Sequence, residues 1–115
     1  MKIQSTNQGD IHVLELSGEL DYHSSPELRE KLTELTVKQT PKILVDLGGV
    51  DYMDSSGIAT FVEAFQKAKR YQGRLVLAAL TATVRGVFEI AKLDSIFEIT
   101  PTVAEALTRL SANKA

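Results

Sequence analysis

The sequence predicts an α/β domain in which helices cover a mostly parallel sheet. Three observations predict it. Short β-branched segments recur along the chain, amphipathic segments of helical spacing separate them, and Ile43-Leu44-Val45-Asp46-Leu47 is an almost continuous apolar run of the kind found in a central strand covered on its faces.

Ile11-His12-Val13-Leu14-Glu15-Leu16, bounded by Asp10 and Ser17-Gly18, reads as a strand. Lys2 to Ser5 is expected to add a short strand paired with it through a turn at Asn7-Gln8-Gly9-Asp10. Ser24-Ser25-Pro26-Glu27 has the form of a capping box. The Ser24 hydroxyl is expected to accept from the amide of residue 27, and Glu27 to reach back to the amide of residue 24. Pro26 falls in the first turn, where its missing N–H costs nothing. Leu28, Leu32 and Leu35 then make an apolar stripe that ends before Pro41.

Gly48 to Asp54 reads as a loop after the central strand. Ile58, Phe61, Val62, Phe65 and Ala68 follow at helical spacing, with Glu63, Gln66, Lys67, Lys69 and Arg70 on the other side. Gly73 is expected to stop this helix, and Arg74 to Leu80 to form the next buried strand. Val84, Val87, Phe88 and Ala91 mark a further helix, and Ser95 to Ile99 a short edge strand. Thr102-Val103-Ala104-Glu105 is a second capping box, opening a last helix through Val103, Ala106, Leu107 and Leu110 that frays into Asn113-Lys114-Ala115. The order is β-(β)-α-β-α-β-α-β-α.

Composition narrows the function. The 115 residues make one domain, with 43% hydrophobic and 24% charged residues, so the chain can bury roughly two-thirds of its unfolded surface without a metal or disulfide. A net charge of −2 gives no general attraction to phosphate backbones or anionic lipid, so nucleic acid is not an expected partner. There is no cysteine, which removes disulfide, thiolate and cysteine–zinc chemistry. The longest apolar run, Leu75 to Leu80, falls far short of the roughly 20 residues of a membrane span, and the first residues lack an apolar signal core. The chain therefore reads as cytoplasmic, with no direct membrane insertion.

Catalytic constellations are missing. His12 lies in a strand without a second ligand at metal spacing, and His23 lies in a turn before a helix. No glycine-rich phosphate loop and no G-x-S-x-G elbow is present, and no triad set supports a serine nucleophile. The chain is expected to be a protein-binding module, not an enzyme, and to need no cofactor.

One segment stands out. Asp54-Ser55-Ser56-Gly57 lies where the chain leaves the carboxyl end of a central strand and enters a helix, the edge at which open α/β sheets meet ligands and partners. Helix capping explains Asp and Ser there. A hydroxyl at a helix N-terminus is also an exposed, oriented phosphate acceptor, because the dipole's positive end favours the product. The two readings are compatible.

Ser17-Gly18-Glu19-Leu20-Asp21 followed by a capped helix, then Val45-Asp46-Leu47 leading into Tyr52-Met53-Asp54-Ser55-Ser56-Gly57-Ile58, resembles the anti-sigma-factor antagonists of the STAS superfamily over nearly the whole chain. The resemblance implies a sheet of four to five strands, mixed but mostly parallel, with helices packed mainly on one face. It implies partner switching: the unmodified protein binds an anti-sigma factor, a serine kinase of the histidine-kinase-like ATPase fold, and frees a sigma factor. The kinase phosphorylates the antagonist, and a PP2C-type phosphatase reverses this. Carried over by position, the acceptor is Ser55, with Ser56 a minor candidate. Asp21 matches an aspartate of the first block that lies close to the acceptor and contacts the kinase, so that Asp21, Asp54, Ser55, Ser56 and Gly57 form the expected partner surface. The family often has glycine where this chain has Ala59, a difference that bears on partner identity. Two other functions share the resemblance: a STAS subunit of a membrane transport system of the lipid ABC type, and a partner switch with a target other than a sigma factor.

Overall fold

The computed structural model describes residues 1–111. Five strands form one sheet in the order β1-β2-β3-β4-β5: β1 (Lys2–Gln8), β2 (Ile11–Leu20), β3 (Lys42–Met53), β4 (Arg74–Ala78) and β5 (Glu98–Thr100). β1 runs antiparallel to β2, and the remaining pairs are parallel. The helices are α1 (Ser25–Val37), α2 (Ser55–Arg70), α3 (Ala82–Ile90) and α4 (Val103–Ser111).

Side chains alternate across the sheet, so its two faces collect separate cores. Leu14, Leu16, Ile43, Val45, Leu47, Leu75 and Leu77 meet Leu28, Leu32 and Leu35 of α1, Phe61 and Ala64 of α2, and Val84 and Phe88 of α3. Ile11, Val13, Leu44, Val76 and Ala78 face the other way, under Ala106 and Leu110 of α4. Three helices cover one face and one covers part of the other. Phe88 packs edge-on to Phe97 at 5.4 Å, and Phe97 lies 5.2 Å from Phe65, which joins α2, α3 and the approach to β5.

The structure corrects several expectations. The stretch after the central strand is not a loop: β3 continues through Gly48 to Met53, paired with Ser17 to Leu20 of β2. The two glycines and the broken alternation disguise it. Between Glu15 and Ser17, and again between Gly18 and Glu19, β3 spends one residue more than β2, so the ribbon is bulged twice. Gly18 takes φ +104° at this point, a conformation other residues rarely adopt. The second bulge leaves Asp51 and Tyr52 exposed and turns Met53 back into the core.

The first capping box does not form, although Pro26 does occupy the first turn. Ser24 Oγ donates to the Glu19 carbonyl at 2.7 Å and accepts from the Asp21 amide at 2.9 Å, so it is held by the strand end and not by its helix. At α4 half of the box forms: Thr102 Oγ1 accepts from the Glu105 amide at 3.1 Å, while the Glu105 carboxylate turns to Arg109. The helix before Gly73 ends at Arg70, and Gln72, not Gly73, takes the left-handed φ of 64°. β4 stops at Ala78, β5 is confined to Glu98–Thr100, and β1 is longer than expected, leaving Gly9-Asp10 as the turn. The expected fraying at Asn113 to Ala115 lies outside the described residues.

His12 is held in the sheet. Its Nδ1–H donates to Asn7 Oδ1 at 2.9 Å, and its Nε2 lies 3.0 Å from the Ser5 hydroxyl. Burial, with lesser help from Lys31 and Lys38, lowers its pKa and keeps the ring neutral. His23 is exposed beside Tyr22. Among the described residues no helix is long and apolar enough to cross a membrane.

Candidate functional site

The long β2–β3 ribbon builds the site by bringing two strand ends to one place. Leu20 and Met53 are register partners, and the amide of Asp54 donates to the Leu20 carbonyl at 3.2 Å. The residues that follow each strand, Asp21-Tyr22 and Asp54-Ser55, therefore emerge side by side.

Asp54 holds both. It is the N-cap of α2, with extended backbone, and its Oδ1 accepts from the Ser56 amide at 2.8 Å. Its Oδ2 accepts from the Tyr22 amide at 3.2 Å, 32 residues away in sequence. Its backbone carbonyl accepts from the amides of Gly57 and Ile58. One residue thus engages three amides of the first helical turn and fixes the neighbouring loop as well.

Ser55 is the first residue of α2 and is exposed, whereas Ser56 is partly covered. Gly57 is buried because α2 enters so close to the sheet. A Cβ there would stand 2.8 Å from Met53 Cγ and 2.9 Å from Leu20 Cγ, so only glycine lets the helix start in this position without displacing those two side chains.

Asp21 sits in the adjoining turn. Its carboxylate accepts from the amides of His23 at 2.9 Å and Ser24 at 3.1 Å. The Ser24 amide, with help from that of His23, holds its pKa below the ordinary value, so Asp21 is a carboxylate at neutral pH. Its carbonyl accepts from the Ser25 amide at 2.8 Å, so Asp21 supplies much of the start of α1.

All five residues expected at the site, Asp21, Asp54, Ser55, Ser56 and Gly57, come together at one end of the sheet. The sequence reading missed Tyr22, whose side chain is 73% exposed beside them; only its place next to Asp21 could have signalled it. It also missed the clamp that sets α1 against α2. Arg29 meets Glu63 in a two-pronged pair, Nε to Oε1 at 2.7 Å and the second guanidinium nitrogen to Oε2 at 3.1 Å, and Lys67 adds a third contact at 3.0 Å. Arg29, and then Lys67, pull the Glu63 carboxyl down to about 2. The pair is partly solvated, so its worth is discounted to about 1 kcal/mol.

The arrangement is a surface, not a pocket. The strand order is strictly sequential, so the sheet has no switch point at which neighbouring connections part to leave a crevice. Among the described residues no group of three or more His, Cys, Asp or Glu side chains could hold a metal ion. What the site presents is one exposed hydroxyl at the start of α2, next to the capping carboxylate of Asp54 and near the Asp21 turn that Asp54 joins to it.

Known proteins share this architecture. The model of the STAS domain matches residues 2–106. The chain is 37% identical over 99 residues to the anti-sigma-B factor antagonist of Listeria monocytogenes, covering 86% of this chain and 84% of the relative. It is 39% identical over 93 residues to that of Bacillus subtilis, covering 81% and 84%. The fold superposes with a TM-score of 0.76 on the Bacillus cell fate determinant SpoIIAA, solved in its phosphorylated form, at 25% identity over 95% of this chain and 99% of the other. The chain belongs to the STAS domain family, and its curated relatives are antagonists of anti-sigma factors.

Proposed function

We propose that the chain is an anti-sigma-factor antagonist whose binding to a serine kinase of the anti-sigma type is switched off by phosphorylation of Ser55. The observation that carries this reading is the exposed Ser55 hydroxyl at the first position of α2, beside the capping carboxylate of Asp54 and next to the Asp21 turn. The phosphorylated relative SpoIIAA supports it. The chain is the substrate of this chemistry and not its catalyst.

In the transfer, Ser55 Oγ attacks the γ-phosphorus of ATP bound to the kinase. The bond from that phosphorus to the bridging oxygen breaks, ADP leaves, and the hydroxyl proton passes to a base of the kinase. A phosphatase of the PP2C type returns the hydroxyl by adding water across the phosphoester. Within the antagonist the product is tolerated, since phosphate of charge about −1.5 to −2 lies at the positive end of a helix dipole. The amides of Ser56, Gly57 and Ile58 are already engaged by Asp54, so the phosphate has few donors to fold back upon and stays outward. There it faces the partner and the nucleotide phosphates it came from, with Asp21 and Asp54 adding to the charge. Like-charge juxtaposition of this kind costs several kcal/mol, a loss of about a hundredfold or more in affinity.

Incubation with ATP and the anti-sigma kinase of the same genome, followed by mass spectrometry, tests the assignment. Phosphate is expected on Ser55, with at most a trace on Ser56. A Ser55→Asp variant that bound the kinase as tightly as the wild type would sink the charge account.

A further inference from the structure

We infer that the groove between α1 and α2 is a second contact site for the kinase, and that it receives a basic amphipathic helix. The inference rests on the reading above, in that the partner is the kinase that acts on Ser55.

The groove begins at the site and runs away from it. Tyr22, Pro26 and Ser56 line it at the Ser55 end and Val37 at the other. Tyr22 and Val37 are 73% and 75% exposed, unusual values for large apolar side chains, and each stands at one end of α1. The 13 residues of α1 make the groove about 20 Å long, the length of roughly 13 residues of a docked helix. Ala59 forms part of the α2 wall, and its small side chain lets another backbone approach closely. Apolar anchors at two ends of a straight rim between helices suit a helix laid into a groove.

Charge selects the occupant. The bases that line the groove, Arg29 and Lys67, are both turned onto Glu63, so neither offers a free positive charge. Glu34 is loosely matched by Lys31 at 3.8 Å, and the exposed Glu30 has no ion-pair partner among the described residues. The rim is therefore acidic. A complementary helix carries apolar residues toward Tyr22 and Val37 and lysine or arginine toward Glu30. Tyr22 is fitted to act as the anchor because Asp54 fixes its amide before the partner arrives. The two contacts then divide the work. The groove supplies affinity and identity, while Ser55 meets the nucleotide and carries the switch.

Steady-state phosphorylation of Ser55 by the anti-sigma kinase of the same genome separates these contributions, with Val37→Glu and Glu30→Lys as probes. Both side chains are exposed, and neither touches Ser55. Each variant is expected to raise KM about tenfold at unchanged kcat, and Glu30→Lys to flatten the rise of KM with salt. Thr83→Glu, which adds a charge at the first turn of α3, is expected to leave KM as it is. If wild-type Ser55 takes up phosphate while both groove variants keep KM within twofold, the groove inference falls and the switch stands. If wild-type Ser55 takes up none, the switch falls and the groove inference with it.

Discussion

The N-termini of α2 and α3 make an instructive pair. Both helices start at the carboxyl end of a parallel strand, and both have a side-chain cap in extended backbone, Asp54 for α2 and Thr81 for α3. Both first turns carry an exposed hydroxyl, Ser55 and Thr83. By dipole and capping alone either could receive a phosphate. They differ in what the cap does with its second contact. Thr81 spends its proton inward, on the Val50 carbonyl at 3.1 Å, and accepts from the Val84 amide. Asp54 turns its second oxygen outward to the Tyr22 amide, which joins two loops into one surface. Under the proposed function, the α2 N-terminus is the site because a carboxylate serves two chain segments, where a hydroxyl anchors one helix to its own sheet.

The contrast can be broken most decisively at the acceptors. Ser55→Ala is expected to reduce phosphate incorporation by the anti-sigma kinase at least about a hundredfold, and Thr83→Ala to leave it unchanged, as read by mass spectrometry. Labelling of Thr83 at a rate near that of Ser55 would show that the dipole alone suffices.

The two helices also differ in how closely they approach the sheet. Gly57→Ala forces Met53 and Leu20 to move and is expected to destabilise by about 1–3 kcal/mol. A Cβ on Gly86 of α3 meets nothing within 4 Å, so Gly86→Ala should stabilise by up to about 1 kcal/mol through helix propensity. Urea unfolding measures both, and equal effects would remove the idea that α2 is seated closer.

At the caps, Asp54→Ala and Thr81→Ala should each cost about 1–2 kcal/mol. Only Asp54→Ala should also speed hydrogen exchange at the Tyr22 amide, because that amide loses its acceptor. Unchanged exchange would mean that Asp54 caps its helix and does nothing for the loop.

The smallest effect concerns the clamp beside α2. The Glu63 carboxyl falls from its ordinary 4.5 to about 2, so its stabilisation is fully present above 4.5 and is lost as pH falls toward 2. Allowing for solvent, about 1 kcal/mol should disappear over that window in wild type and be missing throughout in Glu63→Gln. Parallel pH profiles for the two proteins would show that the pair contributes nothing.

Much of this was legible in the sequence. The order of strands and helices follows from burial, since each element must turn an apolar stripe or face inward, and residues such as Leu28, Leu32 and Leu35 record that need at fixed spacing. The cap at Asp54 was legible for a similar reason, because its partner is the amide of Ser56 two residues on. Ser24 shows where local reasoning fails. Its spacing to Glu27 fits a capping box, yet the Glu19 carbonyl at the end of β2 captured its hydroxyl. Gly48 to Met53 fails likewise, for its strand pairing depends on Ser17 to Leu20, some thirty residues earlier, and its bulges erase the alternation that would have marked it.

By itself the sequence determined the fold class, the family and the exposed serine, because each rests on periodicity or on residues adjacent in the chain. Only the tertiary structure decided that Asp54 also holds Tyr22, that Arg29 is bound to Glu63, and that a groove with an acidic rim runs between α1 and α2 from Tyr22 and Ser56. These contacts join residues more than thirty positions apart. No local pattern encodes them, and they exist only once the bulged β2–β3 ribbon brings Leu20 beside Met53.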